Sequence, residues 1–196
     1  MSPPGGFDVR SLAVTYPDGT GEQPHRHSWG QLVYGVSGVI RVATDAGTWL
    51  APPTRAIWMP AGMTHALTMR GEVAMRTLYI APERAAPVPA EAAVLEVAPL
   101  LRELILHILA IGMLDPARPE HDRLAGLLVD LLVTARRQDL FLPLPRDRRA
   151  AAFAASVVDA PDDRAGLAVL ARRAGASLRT LQRLFSGETG LSLDAW

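Results

Sequence analysis

The chain has 196 residues, 49% hydrophobic and 20% charged, a balance that excludes a disordered chain and leaves room for one large domain or two small ones. It has no cysteine, which excludes a disulfide framework and any thiolate-held metal, so a metal ion here must take imidazole, carboxylate or amide ligands. Its formal net charge is zero and all 20 basic residues are arginine, so affinity for nucleic acid can come only from local clustering.

The opening Met1-Ser2-Pro3-Pro4-Gly5-Gly6 lacks the basic-then-apolar pattern of a signal peptide. The longest apolar stretch, 104–114, is interrupted by His107 and Gly112 and is too short to span a bilayer. A cytoplasmic protein with no membrane partner is expected. Residues 1–84 then read as short β-rich runs at 11–16, 31–36, 39–44, 48–51, 56–59, 66–70 and 75–80. Pro, Gly or Asp stand at most of the breaks, as in Pro17-Asp18-Gly19, Asp45-Ala46-Gly47 and Pro60-Ala61-Gly62. Many short strands with such turns predict a sandwich or small barrel.

The strongest signal in this segment is Gly19-x5-His25-x-His27-x3-Gln31-x6-Gly38. Two histidines at i and i+2 on a strand share a face, and Gln31 has the same parity if the strand runs on without a bulge. A third histidine, His65, comes from a different strand in Pro60-x-Gly62-x2-His65. Three neutral imidazoles with an oxygen suit a divalent ion such as Zn, Ni, Fe or Mn. The plain alternative is a set of structural histidines in an empty barrel, and it is the reading taken for His107 and His121, which stand alone in helical patterns. These residues resemble both motifs of the cupin family. The first motif matches at every position except its acid, where Gln31 stands; the second keeps Pro60, Gly62 and His65 but has Thr54 for its leading glycine and Met69 for its asparagine. The resemblance implies a cupin β-barrel with His25, His27 and His65 as ligands and Gln31 as a fourth. An amide in place of a carboxylate leaves one unit of the ion's charge uncompensated, which favours an anionic or enolate-like ligand at an open position.

Residues 85–98, beginning Ala85-Ala86-Pro87-Val88-Pro89-Ala90, have the composition of a linker. Helical periodicity follows over 99–140. Pro99 suits a first helical turn, with Leu101, Leu104, Ile105, Ile108 and Leu109 on one stripe. A second helix carries Leu124, Leu127, Leu128, Leu131 and Leu132. This pair shows more apolar surface than a small barrel obviously covers, so it is a candidate homodimer interface.

Residues 146–196 read as short helices. Gly175 supplies a tight turn and Ser177 a helix N-cap. Beyond it Leu178, Leu181, Leu184 and Phe185 share one face, and Arg179, Gln182 and Arg183 lie on the opposite one. Arg and Gln make paired hydrogen bonds with guanine and adenine in the major groove, so a recognition helix is one reading and an ordinary solvated face the other. The run Arg179-Thr180-Leu181-Gln182-Arg183-Leu184-Phe185, followed by Glu188-Thr189-Gly190-Leu191-Ser192, resembles the first helix-turn-helix of AraC/XylS-family regulators. The order of barrel, helical pair and helix-turn-helix is similar to the NimR-like subgroup. The resemblance implies that Arg179, Gln182 and Arg183 face bases, and that a second helix-turn-helix, which family members carry, is lacking in a chain ending Asp194-Ala195-Trp196. With one reading head, affinity is expected below the ~10⁻⁸–10⁻¹¹ M of specific complexes.

The expected architecture is β + α: an N-terminal cupin barrel, a helical pair and a C-terminal helix-turn-helix module. The expected function is a DNA-binding regulator, not an enzyme, whose metal-binding barrel senses a small molecule or a metal. The competing class is a cupin metalloenzyme of isomerase or dioxygenase type with a helical appendage.

Overall fold

The structure, a computed structural model, describes residues 6–138, 141–159 and 165–196. Residues 1–5, 139–140 and 160–164, which fall inside the expected spans 1–84, 99–140 and 146–196, lie outside the described residues. The chain divides into two compact units, Met1–Phe141 and Leu142–Trp196.

The first unit opens with eight strands: β1 (Val9–Tyr16), β2 (Gly21–His25), β3 (Gly30–Tyr34), β4 (Val39–Ala43), β5 (Gly47–Ala51), β6 (Arg55–Met59), β7 (His65–Arg70) and β8 (Val73–Ile80). They pair antiparallel as β1 with β8, β2 with β7, β3 with β6 and β4 with β5, the nested pairing of a jelly roll. A one-turn helix α1 (Pro82–Ala85) follows. Then come β9 (Ala93–Glu96), α2 (Pro99–Ile111), β10 (Met113–Leu114), α3 (Pro119–Thr134) and β11 (Arg137–Gln138). One sheet has the order β10-β1-β8-β3-β6-β9-β11, and the facing sheet contains β5-β4-β7-β2.

Alternation along the strands explains two separate cores. On β3, Leu32 and Tyr34 pack with Leu104, Ile105, Ile108, Leu128 and Leu132 of α2 and α3. Val33, one position out of phase, packs between the sheets with Ile40, Met59, Leu67 and Met69. A strand covered on both faces reads as continuously apolar, as β3 does from Leu32 to Tyr34. The same phase sends Gln31 into the sandwich interior.

Residues 85–98, expected as a linker, carry β9, which pairs with β6 from Arg55↔Glu96 to Trp58↔Ala93. Val88, Val94 and Leu95 are buried there, so apolar side chains hold a segment whose prolines and alanines suggest a tether. Pro99 and Pro119 occupy the first turns of α2 and α3. Gly112 ends α2 at φ 94°, its N–H donating to Ile108 O. No helix among the described residues is long and apolar enough to cross a membrane.

Strand β12 (Phe141–Pro143) begins at the last residue of the first unit, where Phe141 stacks on Trp49 at 4.6 Å. The second unit contains α4 (Arg148–Asp159), α5 (Leu167–Arg173) and α6 (Leu178–Thr189) around Phe153, Leu170, Leu181, Leu184 and Phe185. Gly175, at φ 74°, makes the turn between α5 and α6, a conformation a side chain would strain. Ser177 Oγ accepts from Thr180 N–H at 3.2 Å, the expected cap. Glu188 of α6 accepts from the N–H groups of Arg146 (2.6 Å) and Asp147 (2.9 Å), just ahead of α4.

Candidate functional site

His25, His27 and His65 come together, with ligand atoms within 4.8 Å of one another. They do so by a route that the strand parity of the sequence did not foresee. His25 ends β2 in one sheet, Gln31 lies on β3 in the other, and His27 sits in the crossing between them. β2 pairs with β7, where His25 stands directly opposite His65, while β3 pairs with β6 and β8. A single unbulged strand through 25–31 is therefore incorrect: the chain changes sheets over residues 26–29, and the four side chains approach one another from both layers.

Hydrogen bonding fixes what each group presents there. Nδ1 of His25 faces Gln23 O at 2.8 Å, Nδ1 of His27 faces Trp29 O at 2.7 Å, and Nδ1 of His65 faces Met63 O at 2.9 Å. A carbonyl oxygen only accepts, so each Nδ1 carries a ring proton, and in the neutral ring Nε2 presents a lone pair. Gln31 Oε1 lies 2.9 Å from His27 Nε2 and 3.1 Å from His65 Nε2. The amide is oriented from its other end. The Thr77 hydroxyl donates to Leu32 O at 3.0 Å, so its oxygen can only accept, and Gln31 Nε2 donates to it at 3.1 Å and to the Tyr79 hydroxyl at 3.2 Å. Oε1 must then face the histidines. A cation among them, a proton or a metal ion, relieves lone pairs that meet lone pairs. Gln31 and His65 are each 1% exposed, and burial lowers the His65 pKa, which disfavours the proton. The donor set thus fits a divalent ion: three Nε2 atoms and an amide oxygen, each ring held by a carbonyl behind it.

Three further residues at the site carry no motif. Glu22 Oε2 stands 3.9 Å from His25 Nε2, and its Oε1 accepts from the Tyr16 hydroxyl at 2.6 Å. Burial first, and the bond to Glu22 second, push the Tyr16 phenol up to about 12. The Tyr79 ring packs edge-on against His27 at 5.2 Å, and burial raises its pKa as well. Glu22 stands three residues before His25 on β2, while Tyr16 and Tyr79 reach the site from β1 and β8, outside any motif. His121 is buried, and its Nδ1 accepts from Asp115 N–H at 3.1 Å, a structural role in the loop before α3; His107 is exposed.

In the second unit Arg179, Gln182 and Arg183 are all exposed on α6, while Leu181, Leu184 and Phe185 of the same helix are buried.

Residues 8–153 match the family described as the AraC-like ligand binding domain. The chain is 31% identical over 172 residues to the HTH-type transcriptional regulator NimR of Escherichia coli, covering 88% of this chain and 63% of that protein, so it spans a little under two thirds of that relative's length. Among solved structures, a protein of unknown function from Streptococcus pyogenes is 24% identical at TM-score 0.36, covering 38% of this chain and 66% of the other. A cupin superfamily protein from Desulfitobacterium hafniense is 17% identical at TM-score 0.37, covering 41% and 74%. With its N-terminal jelly roll and most of its length inside the matched region, this chain belongs to the family of AraC-like ligand-binding domain proteins.

Proposed function

We propose that the chain belongs to a DNA-binding transcriptional regulator in which the jelly-roll unit senses a small molecule or metal and α5–turn–α6 reads DNA. The observation that carries the proposal is the polarity of α6. Its apolar side chains are spent on the core of the second unit, leaving Arg179, Gln182 and Arg183 exposed together, a set able to pair with base edges. Similarity to an HTH-type transcriptional regulator supports this reading over an ordinary solvated face.

The sensor half rests on the converging lone pairs. His25, His27 and His65 would hold a divalent ion (Zn, Ni, Fe or Mn), with Gln31 as oxygen ligand. Bound there, the ion would supply positive charge and an open coordination position for an effector. The protein's own part is to fix the rings through the Gln23, Trp29 and Met63 carbonyls and to aim the amide through Thr77. Leu100, Ile111, Met113, Leu127 and Val133 leave apolar surface exposed on and beside α2 and α3, and this face is proposed to pair two copies of the chain.

The test is selection of bound fragments from sheared genomic DNA, followed by affinity measurement with wild type and Arg183→Ala. Enrichment of a defined sequence and a loss of about 1–3 kcal/mol in the variant are expected. No enrichment, or an unchanged affinity in the variant, refutes the assigned reading face. A cupin-type metalloenzyme is the second reading, favoured by one observation: Glu22 places a carboxylate beside His25, a group able to move a proton.

A further inference from the structure

Beside His25 and His27 a cavity of about 430 Å³ is lined by Arg10, Ser11, Leu12, Arg26, Trp29 and Tyr79. That volume is typical of small-molecule sites, which run roughly 300–1,000 Å³. Strand β1 supplies one wall by alternation. Val9 joins the core under the helices and Ser11 Oγ donates to Gly112 O, while Arg10 and Leu12 face the other way. Arg10 is directly across from Tyr79 in the β1–β8 register, and the Tyr79 ring touches His27. Leu12 is 42% exposed, an apolar side chain left uncovered at the cavity.

We propose that this cavity takes a small organic anion, its carboxylate held by the metal ion, the Arg10 guanidinium and the Tyr79 hydroxyl, and its apolar part resting on Leu12 and Trp29. The inference rests on the metal-centre reading above and names the class of effector. Among the described residues, no salt bridge pairs Arg10 or Arg26 with a carboxylate, and no acidic residue lines the cavity. The Tyr79 oxygen accepts from Gln31 Nε2, and among the described residues no acceptor takes its proton, so it can donate to a ligand. The metal's ligands are all neutral. Glu22 does not line the cavity; engaged with Tyr16, it offsets one positive charge and no more. A cation, a guanidinium and a hydroxyl beside an apolar wall select a carboxylate over a neutral molecule of the same shape, because a neutral ligand would leave the charges desolvated and unpaired.

The experiment titrates the chain with zinc, then the zinc-loaded chain with phenylacetate and separately with phenylacetamide, by calorimetry, in wild type and Arg10→Gln. Zinc uptake by both proteins is expected, with phenylacetate binding the wild type at least tenfold more tightly than the amide, and at least tenfold more tightly than it binds Arg10→Gln. Zinc uptake with equal affinity for acid and amide, or with binding of neither, overturns the anion site and leaves the metal centre standing. The acid–amide comparison on wild type decides this even where the variant misfolds. Equal phenylacetate affinity in a folded Arg10→Gln also overturns it, and absence of zinc uptake by wild type overturns both readings.

Discussion

Replacing Gln31 with glutamate tests the lone-pair geometry at its centre. Gln31 is 1% exposed and donates from Nε2 to Thr77 Oγ1 and Tyr79 Oη. In Gln31→Glu an oxygen takes the place of that donor. Tyr79 can turn its own proton toward it, but the proton of Thr77 is committed to Leu32 O, and Thr77 is 0% exposed. An oxygen then faces an oxygen at a position closed to bulk solvent. An unsatisfied buried polar group costs about 1–3 kcal/mol, and the buried charge adds to that. Taking about 2 kcal/mol, the metal-free variant melts roughly 4–8 °C lower for a unit of this size. With an ion bound, the carboxylate supplies the charge that the amide lacks, so the cost of burying that charge is offset and metal affinity rises, while the oxygen–oxygen contact with Thr77 persists in both states. Each 1.4 kcal/mol of that offset is about tenfold in zinc affinity. Thermal melting with and without zinc, joined to zinc competition against a chelating dye, reads both halves. Unchanged melting of the metal-free variant together with unchanged zinc affinity refutes the placement of Gln31 Oε1 against the histidines.

Ultraviolet titration should show a tyrosine near 12, Tyr16, moved part of the way back by Glu22→Gln; three tyrosines titrating together near 10 contradict the Tyr16–Glu22 contact. Because folded Tyr16 keeps its proton after the unfolded chain has lost it, its contribution to stability is complete below about pH 10 and is lost as pH rises toward 12. Ser177→Ala removes the acceptor for Thr180 N–H and should cost the second unit about 1 kcal/mol, read by chemical denaturation; no change shows that water caps α6 equally well.

What was legible in the sequence follows from the range over which each signal acts. The β-rich runs, Pro99 at a helix start, Gly175 in its turn and the Ser177 cap are local matters of φ, donors and acceptors, and they stand in the structure where the residues put them. The three histidines are legible as a set because their motifs are tied to fixed turns, Pro60-Ala61-Gly62 among them. Their means of meeting is not. Parity along one strand is a local rule, whereas the jelly roll passes the chain between sheets at residues 26–29, so that His25 meets His65 across β2 and β7 instead. Glu22 and Tyr16 escape notice for the same reason: six residues apart in a chain that turns at Asp18-Gly19, they meet only through tertiary pairing. Strand β9 is hidden by the composition around it, since Ala93-Val94-Leu95 is too short an apolar run to outweigh the prolines that precede it.

Metal content tests the central claim most directly. The chain reconstituted with zinc, nickel, iron(II) or manganese and freed of excess should retain one ion per molecule, and His65→Ala should retain none while its circular dichroism stays that of a folded protein. Wild type that retains no divalent ion under any of these conditions, or a His65→Ala chain that retains it as well, contradicts the account of the four converging lone pairs.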